Sequence, residues 1–543
     1  MSEPSLATSA SLTAAVPASC DVLVVGGGIN GVGIARDLAG RGLSVVLCEQ
    51  DDLAQHTSSS STKLIHGGLR YLEYYEFGLV RKSLAERELL LKSAPHIMWP
   101  LRFVMPHDPN SGFRRSVWMV RIGLFLYDHL ARREWLPASG TLDLRTHAVG
   151  KPLKPRYTRG FEYSDGWVDD ARLVVLSAVD AAAHGATILT RCRCERIVRQ
   201  AGGWRVTLQP LGSAPATLQA RAVVNAGGPW TGEFLRDRAD VKSARSLRLI
   251  KGSHIVVPKM FDHDHAYIFQ NPDKRIIFAI PFEGDFTLIG TTDVEVDAGA
   301  PDSARVEDDE VDYLCEQASR YFARPVAPAD VVWRYSGVRP LLDDASGDAS
   351  AVTRDYLLEF DAGPPAAVAP AGPAPILLSV WGGKITTFRK LAEEAADLLV
   401  QRLGERRPAW TETALFPGGN LSAWIGAPQR PDTDIRRFVA ALAERHPQLP
   451  APVRERWARC YGGRVVLLLQ SGSLGAEVAP GLYEAELDYL YQHEWARCAE
   501  DVLWRRTKLG LHLDAAQRAR VVGWWLAHHP EARLIAATEL ACN

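Results

Sequence analysis

The chain has 543 residues, 47% of them hydrophobic and 23% charged, with a formal net charge of −2 at pH 7. At roughly 100–200 residues per domain this is a globular protein of two to four domains, and the composition excludes global disorder. The near-zero charge excludes a whole-molecule field that would draw the protein to nucleic acid or anionic lipid, so any preference for anions must reside in a local cluster.

Eight cysteines are scattered without a CxxC pair or zinc-type spacing, so they read as free thiols in a reducing compartment and no metal site is expected. Residues 1–19 lack the basic start and apolar run of a signal peptide and read as a disordered lead-in. No run of about 18 apolar residues suggests a transmembrane helix. These features describe a cytoplasmic protein, free or peripherally bound.

Residues 21–25 form a short β-branched run, as a buried parallel strand requires. The run breaks into Gly26, Gly27, Gly28, Ile29, Asn30 and Gly31, a G-x-G-x-x-G pattern leading into a predicted helix at 34–39. Gly26 makes the tight turn, Gly28 lets the backbone approach a pyrophosphate, and Gly31 lets helix and strand pack closely. The helix N-terminus supplies unpaired N–H groups to the phosphates. A second strand at 44–47 ends at Glu49, placed to accept from a ribose 2′-hydroxyl and thereby to disfavour a 2′-phosphate. The order of strand, glycines, helix, strand and acid predicts a Rossmann-like dinucleotide site that suits NAD or FAD.

The hydroxyl-rich run at 57–62 includes Thr57, Ser58, Ser59 and Ser60, and it is followed by Lys63, Leu64, His66, Gly67 and Gly68. Read alone it fits a linker as well as a phosphate-solvating loop. Beside a flavin, Gly67 and Gly68 would let the backbone lie flat where a Cβ would clash. The most apolar amphipathic stretch, 113–127, carries Arg114, Arg115 and Arg121; it could lie in a bilayer interface, but a buried core helix is the expectation. Residues 223–230 form a second glycine-ended strand, with Ala226 and Gly227 at the turn, so the dinucleotide domain is discontinuous. His254 heads a strand-like run in the intervening region. Residues 362–375 read as an exposed Pro/Ala-rich loop before a strand at 376–380. Gly383 and Lys384 precede an amphipathic helix at 388–403, whose N-terminus brings partial positive charge. From Pro431 onward the period is helical. There the basic run at 504–508 could be a docking element, but helix packing with a solvated basic face is expected.

The segments at 57–73, 161–172, 249–257, 289–293, 335–340, 353–356, 382–387 and 503–508 resemble FAD-dependent glycerol-3-phosphate dehydrogenases of the aerobic, quinone-linked type. The resemblance implies an α/β fold: a discontinuous FAD-binding domain (20–75, 160–245, 335–404), an antiparallel-sheet substrate or cap domain (76–159, 246–334) and a C-terminal helical domain (405–543). It further implies hydride transfer from C2 of glycerol 3-phosphate to FAD N5, with electrons passed to a membrane quinone. The expected setting is cytoplasmic, peripheral at the inner membrane, without nucleic acid and with a homodimer left open. Arg70, Tyr71, Arg339, Arg354, Lys384 and Thr386 are then the substrate-binding set, with Arg339 and Lys384 also in the catalytic group. An arginine suits the role because its guanidinium grips phosphate oxygens in pairs, although any one of these could be a surface ion pair. Lys384 could equally stabilise reduced flavin. His254 is the favoured base, with His66 as the alternative. Rival readings are an oxygen-using oxidase, an NAD-dependent reductase and a non-catalytic flavin sensor.

Overall fold

The computed structural model describes residues 15–108, 117–273, 275–297, 304–343, 355–361 and 374–535. Its nucleotide-binding unit is an eight-stranded sheet with Ser19–Val25 near the centre. That strand pairs in parallel with Val45–Cys48 on one side and Ala216–Asn225 on the other; Ile376–Trp381 and Thr187–Leu189 extend the parallel core. Val22 and Val24 join a core with the helices Ile29–Gly40, Asp170–Ala183 and Phe388–Arg402, whereas Leu23 joins the core behind the sheet. Successive side chains leave opposite faces of a strand, so a strand covered on both faces needs the unbroken apolar run at 22–25.

A second sheet of ten strands holds Leu247–Pro258, Phe286–Gly290, Ile276–Phe282, Ala266–Gln270, Met98–Pro106 and Arg159–Val168 among its members. Among the described residues its strand pairs are antiparallel except for Met98–Pro106 with Ala266–Gln270. Leu64–Ile65, Arg159–Val168 and Trp333–Leu342 belong to this sheet, which corrects the domain division expected above. Strand patterning alone does not say which sheet a strand joins; pairing partners far along the chain decide it. The helix Asp308–Tyr321 covers one face, and the helices Phe77–Ser93 and Val117–His129 pack over the other.

Two further expectations are corrected here. The helix Val117–His129 buries Leu124, Tyr127 and Asp128 but exposes Trp118, Met119, Ile122, Phe125 and Leu126, so it is not a core helix; residues 113–116 lie outside the described region. Its apolar residues circle more of the helix than the underlying protein can cover. The basic run at 504–508 is not a solvated face: Arg506, Thr507 and Lys508 are buried. Carboxylates from the nucleotide unit neutralise it, a pairing that spans more than 300 residues of sequence. Around this run, helices including Pro431–Arg445, Ala451–Tyr461, Glu484–His493 and Ala515–His528 enclose a core of their own.

Candidate functional site

A wide cavity of about 370 Å³ lies between the two sheets, and a narrower one of about 150 Å³ adjoins it. Both are walled by Gly28, Thr57, Ser58, Ala226, Gly228 and Pro229, so they form two arms meeting at the first glycine turn.

The narrow arm is bordered by Gly26, Glu49, Gln55, His56, Cys48, Gly227 and Trp230. Here the glycines act mainly through close approach. A Cβ on Gly26 would stand 2.5 Å from Ala226 O, and one on Gly31 would stand 2.0 Å from Gly26 O. Glu49 is buried and accepts the Gly27 N–H at 2.6 Å and the Asp51 N–H at 2.9 Å, one on each oxygen. Each oxygen keeps a lone pair for a ribose hydroxyl. Burial pushes the Glu49 carboxyl above its ordinary range, with His56 opposing. His56, held 2.9 Å from Asp51 and edge-on to Trp230 at 4.8 Å, was not foreseen from sequence. No local motif marks it: Asp51 is near in sequence, but Trp230, which sets the ring against the arm, is far along the chain.

Ile29, Asn30, Ser60, Leu64, His66, Gly68, Gly383 and Lys384 wall the wide arm. The start of the helix Ile29–Gly40 points there, and the Ile29 N–H donates to the Ser58 hydroxyl at 3.0 Å. Asn30 Nδ2 donates to Gly382 O at 3.1 Å, joining the two glycine turns. Gly27 and Gly31 are buried within the turn itself, and four further expected cofactor or substrate contacts lie behind the wall. Lys63 is buried, and its Nζ donates to Ser59 O at 3.0 Å and pairs with Asp170 at 2.8 Å. The Ser59 hydroxyl turns to His56 O. Gly67 does not face the cavity: a Cβ there would meet Leu84 and the Tyr127 hydroxyl, which accepts the Gly67 N–H at 2.8 Å. Thr386 is fully buried and its hydroxyl accepts the His66 N–H at 3.1 Å. These four shape the wall from behind.

The substrate end is assembled from the second sheet. On the paired strands Leu247–Pro258 and Trp333–Leu342, His254 is opposite Tyr335 and Gly252 opposite Gly337. Period-2 alternation sends Gly252, His254, Gly337 and Arg339 to the cavity side. On the opposite face Lys251 and Ser253 anchor the strand to Glu310 at 2.9 and 2.8 Å. His254 is 2% exposed, stacks on Tyr335 at 4.8 Å and places Nε2 3.0 Å from the Thr62 hydroxyl. Its Nδ1 has no hydrogen-bond partner among the described residues. Burial, then the charges of Arg339 and Lys63, hold its pKa well below the ordinary histidine value, so the ring is neutral at pH 7.

Arg339 pairs with Asp293 at 2.8 Å and donates to Thr292 O at 3.1 Å, which sets the plane of its guanidinium. Lys384 Nζ sits 4.8 Å over the Tyr71 ring. Arg70 lies against Tyr74 and also borders the cavity. Three cations expected from scattered segments thus meet in one arm; Arg354 lies outside the described residues. Phe103, Met105, Tyr163, Ile268 and Phe278 form an apolar wall that sequence reasoning did not single out. Their alternating pattern reads as ordinary core, and the same side chains do pack in it.

The lining fits FAD: an acid for ribose, a helix start and hydroxyls where the arms meet, and a wide, partly aromatic arm for a flavin ring. Residues 21–389 match the family of FAD dependent oxidoreductases, and 390–522 match the C-terminal domain of alpha-glycerophosphate oxidase. A glycerol-3-phosphate dehydrogenase of Pseudomonas aeruginosa is 51% identical, covering 94% of this chain and 96% of its own. A D-erythritol 1-phosphate dehydrogenase of Brucella abortus is 48% identical, covering 94% and 98%. The crystal structure of the glycerol-3-phosphate dehydrogenase from Bacillus halodurans complexed with FAD superposes with a TM-score of 0.74 at 27% identity, covering 96% of this chain and 94% of that one.

Proposed function

We propose, on the premise that the chain belongs to the FAD-dependent oxidoreductases and among them to the glycerol-3-phosphate dehydrogenases, that it oxidises sn-glycerol 3-phosphate to dihydroxyacetone phosphate. The observation that carries this reading is the convergence of Arg70, Arg339 and Lys384 with a neutral His254 in one arm of a cavity whose other arm suits an adenosine group.

Bound FAD supplies the hydride acceptor. The protein's own residues do the rest. Arg70, Arg339 and Lys384 bind the substrate dianion, Arg339 with its guanidinium already set by Asp293, so little orientation is lost on binding. His254, neutral and shielded, takes the proton from the C2 hydroxyl as C2 gives up its hydride. His66 also borders the cavity and is the alternative base. The segment Gly382, Gly383 and Lys384 leads into the helix Phe388–Arg402, whose N-terminal dipole favours negative charge on a reduced ring. Anaerobic mixing with glycerol 3-phosphate should bleach the flavin absorbance near roughly 450 nm, a property of the cofactor. No bleaching removes the substrate assignment.

Similar identity to a D-erythritol 1-phosphate dehydrogenase supports a second reading, in which the preferred polyol phosphate has four carbons. The ratio of kcat/KM for the two substrates decides between them.

For the electron acceptor we favour a membrane quinone. Trp118, Met119, Ile122 and Phe125 are exposed on one helix together with Arg121, and Tyr75 and Phe77 are exposed as well. An apolar helix face with basic residues suits the lipid interface, where quinones dissolve. No helix among the described residues is long and apolar enough to cross a membrane. Vesicles of mixed neutral and anionic lipid should sediment the protein, and Trp118→Ser with Phe125→Ser should weaken that binding at least tenfold. Equal binding by the variant moves the lipid contact elsewhere. High peroxide yield with no quinone reduction would make the enzyme an oxidase.

A further inference from the structure

Among the described residues the C-terminal domain contributes none to the wall of either arm, yet one short segment of it, 501–508, reaches the loops that border both. Arg506 is fully buried. Its Nη1 donates to Asp52 Oδ2 at 2.6 Å and its Nη2 to Asp52 Oδ1 at 2.8 Å, while Arg505 Nε reaches Oδ2 at 2.6 Å. Burial alone would raise the Asp52 carboxyl, but Arg506 and Arg505 hold it far below the usual carboxylate range. Asp501 joins the group by pairing with Arg505 and, at 3.0 Å, with Arg191. Arg191 Nη1 donates to Gln55 Oε1 at 3.1 Å, and the same oxygen accepts the Asp52 N–H at 3.1 Å. Ala54, Gln55, His56, Thr57 and Ser58, which follow directly, wall the narrow arm.

At its other end the segment meets the wide arm. Lys508 Nζ lies 3.4 Å from Asp169, whose neighbour Asp170 accepts from Lys63 Nζ at 2.8 Å, from the Ser61 hydroxyl at 2.7 Å and from the Ser61 N–H at 3.2 Å. Ser60, Ser61 and Thr62 wall that arm. Trp504 stacks on Trp333 at 4.9 Å, on the strand that carries Arg339 and Tyr335; the Tyr335 hydroxyl in turn donates to Ser61 O at 2.9 Å.

Buried ion pairs are weak evidence for stability, because desolvation offsets their attraction and matched apolar pairs often replace them at no loss. What such a group does supply is direction: a bidentate guanidinium fixes one carboxylate, and through it one loop, in a single orientation. One loop is fixed in this way, and the other is held through Lys508, Asp169 and its neighbour Asp170, both from a single segment.

We propose that residues 501–508 are a latch through which the C-terminal domain retains FAD, with Arg505, Arg506 and Lys508 as positioning residues for the loops 52–58 and 60–63. The latch acts on affinity for the cofactor and on its escape, not on the chemistry of turnover. It also accounts for the basic run at 504–508 without an external partner.

The test compares full-length holoprotein with Arg506→Met, Asp52→Asn and the double variant Asp52→Leu/Arg506→Met. The readouts are FAD dissociation, followed by the fluorescence of released flavin, and thermal midpoint. Each single variant should weaken FAD binding tenfold or more, and excess FAD should restore turnover with an unchanged KM for glycerol 3-phosphate. The double variant removes the stranded charge, so its thermal midpoint should return towards that of the parent while FAD affinity stays low. Recovery of FAD affinity together with the thermal midpoint would reduce the group to a structural ion pair and overturn the proposal. Unchanged FAD affinity in Asp52→Asn, the variant closest in shape to the parent, would overturn it as well.

Discussion

Around the narrow arm the decisive surfaces are backbone, brought so close that Gly26 and Gly31 have no room for a Cβ. Around the substrate end they are side chains: His254 and Arg339 from neighbouring strands, Arg70 from the turn after the hydroxyl-rich loop, and Lys384 from the start of a helix. The first region binds by shape and fails as a whole when the shape is lost. The second binds by charge and proton affinity, and it fails one function at a time. A cofactor that stays through every turnover needs the former; a substrate that comes and goes is served by the latter.

The largest test of this contrast is Gly31→Val. A Cβ 2.0 Å from Gly26 O cannot be accommodated without moving the strand or the helix, so the purified chain should carry no flavin and should unfold at lower temperature. A yellow, stable variant would break the contrast at its base. Next in size, His254→Asn should lower kcat by about 10²–10⁴, the usual worth of a general base, while FAD and substrate still bind. Stopped-flow reduction at saturating substrate measures it, and a normal rate passes the role to His66.

Arg339→Ala should raise the substrate Kd about 100-fold, from the roughly 1.5–3 kcal/mol of a charge-assisted hydrogen bond, and leave the FAD content intact. Asp293→Asn should give the same effect in smaller measure, about threefold to tenfold, since it only aims the guanidinium. Loss of FAD from either would mean that the two arms are not separable. The smallest effect concerns pH. Because burial and the Arg339 and Lys63 charges depress His254, its neutral form persists below pH 6.5, and kcat/KM should stay flat there. Removing Arg339 withdraws one depressing charge, so the acid limb of the residual activity should move to higher pH. An unmoved limb would detach His254 from that limb.

How far each region could be read beforehand follows from the same contrast. The glycine turn, Glu49 and the return strand with Ala226 and Gly227 were legible because steric demands act on residues adjacent in the chain. The cations were named through family resemblance, and nothing local said that Arg70, Arg339 and Lys384 would meet. Lys63, Ser59, Gly67 and Thr386 were placed in the right neighbourhood but on the wrong side of the wall: residue type shows that a hydroxyl or a charge is needed, not which way it turns. In the helix Val117–His129 and the run at 504–508 the fold exchanges the inside and outside that the sequence pattern suggests.

By itself, then, the sequence determined the βαβ nucleotide unit, the choice of an acid at the second strand end, the helical character of the C-terminal part and the identity of the family. Short-range sterics and periodicity act within a few residues, so they leave marks that can be read in order along the chain. Only the tertiary structure decided which sheet each strand joins, which face of Val117–His129 meets solvent, and that Asp52 rather than solvent receives Arg506. Those outcomes depend on burial and charge pairing between residues hundreds of positions apart, and such pairings exist only once the chain has folded.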